Sequence, residues 1–208
     1  MLTVGLTGCF QAGKTTVLSM FEKCGARVLS ADWLVHQAFE HNQVFIREVR
    51  KMFGPSVFTQ GKINRRALAE RVFSDKRSLD RLNKLVHPYV QEKMISFFKA
   101  CYARYKDSIV VVEVPLLFEA CFEKYFDVTV VISTQPEVVG RRLCGQGVFS
   151  SKDMKARNAH QFSLAKKIAR CDFVIDNNAG LKQTFCRVKE FMGFLEPLKS
   201  LSLGRIRE

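Results

Sequence analysis

Eight residues near the start of the chain, Gly8-Cys9-Phe10-Gln11-Ala12-Gly13-Lys14-Thr15, have the types and spacing needed to hold a polyphosphate. The two glycines let the backbone curl until successive N–H groups point inward at phosphate oxygens. A helix starting just past Gly13 aims the positive end of its dipole at the same charge. Lys14 can reach the β- and γ-phosphates, and the Thr15 hydroxyl can ligate Mg²⁺. Gly8, Gly13, Lys14 and Thr15 are therefore the candidate nucleotide contacts. A glycine turn beside a surface lysine gives the same short pattern. A strand before it and a helix after it favour the phosphate cradle.

Two carboxylates stand where such a loop could use them. Glu113 closes the run Val110-Val111-Val112, the place from which an acid can hold the metal through water. An ordinary strand-end carboxylate is the other reading. Asp32 follows a short strand, at the C-terminal edge where open α/β sheets bind ligands. It could equally cap the helix Trp33–Glu40, and the two roles are compatible. Cys9, among N–H groups at a helix N-terminus, is expected to carry an acidified, reactive thiol.

The elements that must position these groups read as alternating strands and helices. Leu2–Thr7 is a buried strand ending at Gly8, Thr15–Lys23 a helix closed by Gly25, and Arg27–Ser30 a second strand. From Asp32 to Lys106 the periodicity is mostly helical, with a break at Gly54-Pro55 and a turn around Gln60-Gly61. Leu68, Val72, Leu79, Leu82 and Leu85 recur at helical spacing. Pro88 is expected to start a further helix running towards Tyr105. Ile109–Val114, Phe126–Ser133 and Asp172–Asp176 read as buried strands. The alternation predicts a parallel α/β sheet with helices on both faces.

The 33 Lys+Arg outnumber the 20 Asp+Glu, giving a formal charge of +13 over 208 residues. That field favours anionic ligands in general, from nucleotides to nucleic acid. The basic residues are spread along the chain with no helix-turn-helix signature or aromatic-interleaved basic motif, which argues against nucleic acid. Arg65-Arg66 and Lys166-Lys167 read as solvated helix faces. Seven cysteines, an odd number without CxxC spacing, read as free thiols in a reducing cytosol. The apolar stretch Ile109–Phe122 is broken by Glu113 and Glu119, so no membrane span is expected.

Taken in order, these residues resemble the dephospho-coenzyme A kinase family over about residues 2–190. The matching pieces are Gly5-Leu6-Thr7-Gly8 leading into the loop, Ala31-Asp32 with His36, Phe53-Gly54, Gly61-Lys62-Ile63-Asn64-Arg65, Leu68, Val72-Phe73, and Leu82-Asn83 before His87-Pro88. They continue with Pro115-Leu116-Leu117-Phe118-Glu119, Arg142-Leu143, Gln161 and Val174-Ile175-Asp176-Asn177. The resemblance implies a P-loop kinase with a five-stranded parallel sheet (core about 1–31 and 107–208), a helical substrate lobe (about 32–106) and a lid (about 141–165). It implies an enzyme that uses ATP and Mg²⁺ to phosphorylate the ribose 3′-hydroxyl of dephospho-coenzyme A. The composition leads to the expectation of a cytoplasmic protein, and a monomer or weak homo-oligomer is expected.

In that scheme Gln11 to Thr16 bind ATP, and Asp32 is the base or orienting group for the hydroxyl. Lys14 serves the transferring phosphate, Arg142 faces the transferring phosphate or the adenine pocket, and Thr15 with Glu113 serves the metal. Arg65, His87, Pro115 and Leu116 lie on the acceptor side. The chain departs from the family pattern at Cys9 and Gln11, where glycines are usual, at Ser30 in place of Asp, and at Gly140 and Gln146 in the lid. Arg141 and Lys152 are the candidates for the missing lid charge. The competing readings are a P-loop kinase for another nucleotide or hydroxylated metabolite, and a weakly catalytic regulatory NTP-binding module. Retention of Lys14, Thr15 and Asp32 favours a working catalyst.

Overall fold

A computed structural model describes residues 1–143 and 161–201. The expected lid residues Gln146 and Lys152, with Cys144 and His160, lie outside the described residues. The chain divides into two compact units, residues 1–30 with 95–208, and Ala31–Met94.

The first unit is built on a five-stranded parallel sheet. Its strands are β1 (Leu2–Gly8), β2 (Arg27–Ser30), β5 (Ile109–Glu113), β6 (Val128–Ser133) and β7 (Phe173–Asp176), in the order β2-β5-β1-β6-β7. Every residue of β1 is buried, as its central place demands. The register brings the C-terminal ends to one edge: Leu6 pairs with Glu113, Ser30 with Glu113, Gly8 with Ile132, and Ser133 with Asp176.

Two aspartates pin the opposite edge. The Asp127 carboxylate accepts from the Thr3 N–H and hydroxyl, both at 2.8 Å. That of Asp172 accepts from the same two groups of Thr129 at 2.7 Å. Helix α1 (Lys14–Lys23) buries Val17, Leu18, Met20 and Phe21. Phe21 meets Phe191 of the last helix, Leu181–Leu195, edge to face at 6.1 Å.

The Ala31–Met94 unit contains α2 (Ala31–His41), α3 (Gln43–Phe53), a two-residue hairpin of β3 (Phe58–Thr59) and β4 (Lys62–Ile63), α4 (Arg65–Phe73) and the first part of α5 (Lys76–Arg104). Ala38, Phe45, Val49, Val57, Leu68 and Val72 form its own core. Asparagines cap two of its helices: Asn42 accepts from the N–H groups of Val44 and Phe45, and Asn64 from those of Arg66 and Ala67. The turn at Gln60-Gly61 has positive φ at both residues (50° and 77°), the conformation a two-residue hairpin requires.

Pro88 does not start a helix. It lies inside the continuous α5, at a cost of about 3 kcal/mol for the lost N–H and the ring's clash with the preceding turn. Val90, Met94 and Phe98 beyond it are buried, as Leu82, Leu85 and Val86 before it partly are. Apolar burial of about 1.5–3 kcal/mol per such side chain exceeds that local cost. No described helix is long and apolar enough to cross a membrane. Cys9, Cys24, Cys101, Cys121, Cys171 and Cys186 are free.

Candidate active site

Between β1 and α1 the chain turns twice through left-handed backbone, at Gln11 (φ 61°) and Gly13 (φ 84°). Glycine is obligatory at 13: besides its φ, a Cβ there would sit 2.5 Å from the side-chain nitrogen of Asn177. Gln11 holds the strained conformation without being glycine, which costs about 1–2 kcal/mol. The curl is closed by the Ala12 N–H donating to the Cys9 carbonyl at 3.2 Å and the Val17 N–H to the Gly13 carbonyl at 3.0 Å. Lys14 is buried and lays its ammonium on the Cys9 carbonyl at 3.0 Å. Thr15 and Thr16 are exposed in the first turn of α1.

Glu113 is only 2 % exposed, at the end of β5. The Thr15 hydroxyl lies 3.3 and 3.4 Å from its two carboxylate oxygens. Two residues 98 positions apart thus converge at the mouth of the loop. An oxygen-only pair of this kind, one hydroxyl and one carboxylate, suits a hard cation that keeps most of its water.

Arg142, on α6 (Pro136–Leu143), donates to the main-chain carbonyls of Asn177 at 2.7 Å and Ala179 at 3.4 Å. The same arginine lies 3.7 Å from where a Gly13 Cβ would be. Arg141, its neighbour, is exposed. Pro115 and Leu116 follow β5 and are half-buried. Asp32, Arg65 and His87 belong to the Ala31–Met94 unit: Asp32 is exposed in the first turn of α2, two residues past Ser30, and Arg65 is exposed at the start of α4. His87 is half-buried within α5, where desolvation holds its imidazole below the usual pKa.

The structure corrects two expectations. Cys9 is not acidified: burial, the largest influence, pushes its thiol up, although Lys167 and Lys14 act in the opposite sense. Lys167 is no solvated lysine. It lies on α7 (Leu164–Ile168), is 0 % exposed, and pairs with Glu119 at 3.2 Å. Its ammonium also donates to the Pro115 carbonyl at 2.8 Å and lies 3.5 Å from the Thr7 hydroxyl. The same Glu119 oxygen accepts the Phe162 N–H at 2.7 Å. Thr7 closes the triangle by donating to the Pro115 carbonyl at 3.1 Å.

Three further residues stand around the loop: Asn177, which the family resemblance includes without a role, and Thr134 and Thr184, which the sequence reading does not name. Asn177 and Thr134 both donate to the Ala12 carbonyl, and Thr184 donates to Asn177. Thr134 and Asn177 come straight after β6 and β7. The strand-end rule that singled out Asp32 and Glu113 therefore reaches them too when applied to every strand. Nothing in the pair Lys166-Lys167 marks which lysine is buried.

Comparison with known proteins adds a family to this geometry. A family model described as dephospho-CoA kinase matches residues 2–183. A dephospho-CoA kinase of Syntrophotalea carbinolica is 36% identical over 198 residues, 95% of this chain and 93% of that protein. One of Nitrobacter winogradskyi is 33% identical over 192 residues, 92% of this chain and 94% of that one. A solved structure from Thermus thermophilus superposes with a TM-score of 0.77 at 29% identity, covering 93% of this chain and 97% of the other.

Proposed function

The chain belongs to the dephospho-CoA kinase family, and on that premise we propose that it transfers the γ-phosphate of ATP to the ribose 3′-hydroxyl of dephospho-CoA, giving CoA and ADP. The observation that carries the reading is the loop 8–15 itself, curled through Gln11 and Gly13, with Lys14 buried against it and Thr15 facing Glu113.

Phosphoryl transfer through a loose transition state asks little covalent chemistry of a protein. It asks that charge be neutralised and that the attacking oxygen be placed in line. Backbone N–H groups of the loop, with Lys14, take the polyphosphate of ATP. Gly8, Gln11, Ala12, Gly13, Thr15 and Thr16 shape that cradle. Thr15 and Glu113 would hold Mg²⁺, which would offset the negative charge of the polyphosphate.

Arg142, fixed by the carbonyls of Asn177 and Ala179, supplies a further cation beside the loop. Asp32 orients the acceptor hydroxyl and receives its proton late in the transfer. Arg65 and His87 serve the acceptor, as do Pro115 and Leu116 past β5. Incubation with MgATP and dephospho-CoA, followed by mass spectrometry, tests the whole reading. It expects CoA and ADP in equal amounts; ADP without CoA would leave an NTP hydrolase and sink the acceptor assignment.

A further inference from the structure

The Ala12 carbonyl is held by two side chains from other strands' ends. The Asn177 amide nitrogen donates to it at 2.8 Å and the Thr134 hydroxyl at 2.9 Å. Ala12, Thr134 and Asn177 are all buried, Asn177 at 3 % exposure. No cis peptide is present among the described residues, so the Ala12–Gly13 peptide is trans and planar. Its N–H therefore points opposite to its C=O. A carbonyl pinned against the ends of β6 and β7 turns the Gly13 N–H the other way, into the hollow of the loop.

The orientation of the Asn177 amide is itself determined. A carbonyl only accepts, so the amide must turn its nitrogen to Ala12. Its oxygen then takes the Thr184 hydroxyl at 2.9 Å, from α8 (Leu181–Leu195). The amide packs against the Cα of Gly13 with no room for a Cβ, so the peptide cannot rock in that direction.

We infer that Asn177, assisted by Thr134, is a positioning residue that sets the direction of the Gly13 N–H and thereby readies the loop for phosphate. Without these donors the Ala12–Gly13 peptide is free to rotate, and only part of the population presents the N–H inward. The apparent affinity for a phosphate-bearing ligand falls by that fraction. A ligand with no phosphate loses nothing. The inference rests on the loop 8–15 being the phosphate cradle of the proposed kinase.

The test is calorimetric binding of ATP and of adenosine to wild-type protein and to the Asn177→Leu, Thr134→Val and Thr134→Ser variants. Asn177→Leu removes the donor at nearly constant shape and without adding charge, and it leaves the main-chain carbonyl that Arg142 uses. Its ATP affinity should fall about tenfold or more, as expected when a buried carbonyl loses a partner, with adenosine affinity unchanged. In turnover the KM for ATP should rise while that for dephospho-CoA stays.

Thr134→Val should show a smaller loss of the same kind, and Thr134→Ser, which keeps the hydroxyl, should restore it. If Asn177→Leu does not fold, the valine–serine pair decides alone. Equal losses for ATP and adenosine, or none for either, would overturn the role of Asn177. Wild-type protein that binds ATP no better than adenosine would instead overturn the cradle assignment, and this inference with it.

Discussion

Side-chain hydrogen bonds at the phosphate loop join residues 98, 122, 160 and 165 positions apart, as in Thr15–Glu113, Thr134–Ala12, Lys167–Thr7 and Asn177–Ala12. In the Ala31–Met94 unit Asn42, Asn64 and Asp75 bond to backbone or side chains two to five residues away. One region is specified by local capping chemistry, element by element. The other exists only when the ends of four strands, β1, β5, β6 and β7, have met. Disturbance of a local cap should therefore be cheap and confined, whereas loss of one long-range partner should be felt in catalysis or in global stability.

The largest effect expected is from Lys14→Ala. A preorganised cation aimed at developing charge in a site of low dielectric is worth about 10³ in rate, and loss should fall on kcat more than on the KM for dephospho-CoA. Steady-state ADP release measures it. Near-normal turnover would show that the loop is not where the chemistry happens.

Next comes Lys167→Met, which strands the Glu119 carboxylate in a buried position with its other oxygen already unpartnered. Breaking such a pair costs about 3–5 kcal/mol. Adding Glu119→Gln should recover most of that loss, because what is costly is the uncompensated charge and not the missing bridge. Urea denaturation of the single and double variants gives the numbers; a single variant as stable as wild type would mean that the link from α7 to β1 contributes nothing.

Asp32→Asn should be milder and purely kinetic. Asp32 lies inside the first turn of α2, not ahead of it as a cap. Losing its charge there costs the helix less than about 1 kcal/mol, so the melting temperature should nearly hold. An amide cannot take the hydroxyl's proton, and kcat should fall about a hundredfold. A drop in stability with kcat preserved would reduce Asp32 to a partner of the helix dipole.

The smallest effect belongs to the local side of the contrast. Asn64→Ala removes the acceptor for two N–H groups of α4 and should cost about 1 kcal/mol. That is about 2–4 °C in a chain of this length, with Asn64→Asp close to wild type. A loss as large as that of Lys167→Met, read by thermal circular dichroism, would erase the distinction between the two regions.

The same distinction explains what could be read in advance. β1, β2 and β5 declare themselves as short apolar or β-branched runs. The turn at Gln60-Gly61 is legible because glycine accepts positive φ, but two-residue strands such as β3 and β4 carry no periodicity to read. The helix start expected at Pro88 fails because a proline's local preference is set without regard to which side chains around it are buried. The acidified Cys9 fails for the related reason that a helix N-terminus is visible in sequence and desolvation is not.

From the order of its residues alone, the chain determined its phosphate loop, its strand-and-helix alternation and its family resemblance, since each rests on types at fixed short spacing. Tertiary structure decided which of two adjacent lysines is buried, that Thr134 and Asn177 share one carbonyl, and that Thr15 faces Glu113. Those facts depend on the register of parallel strands, which is settled by burial across the whole sheet and leaves no mark within any single segment.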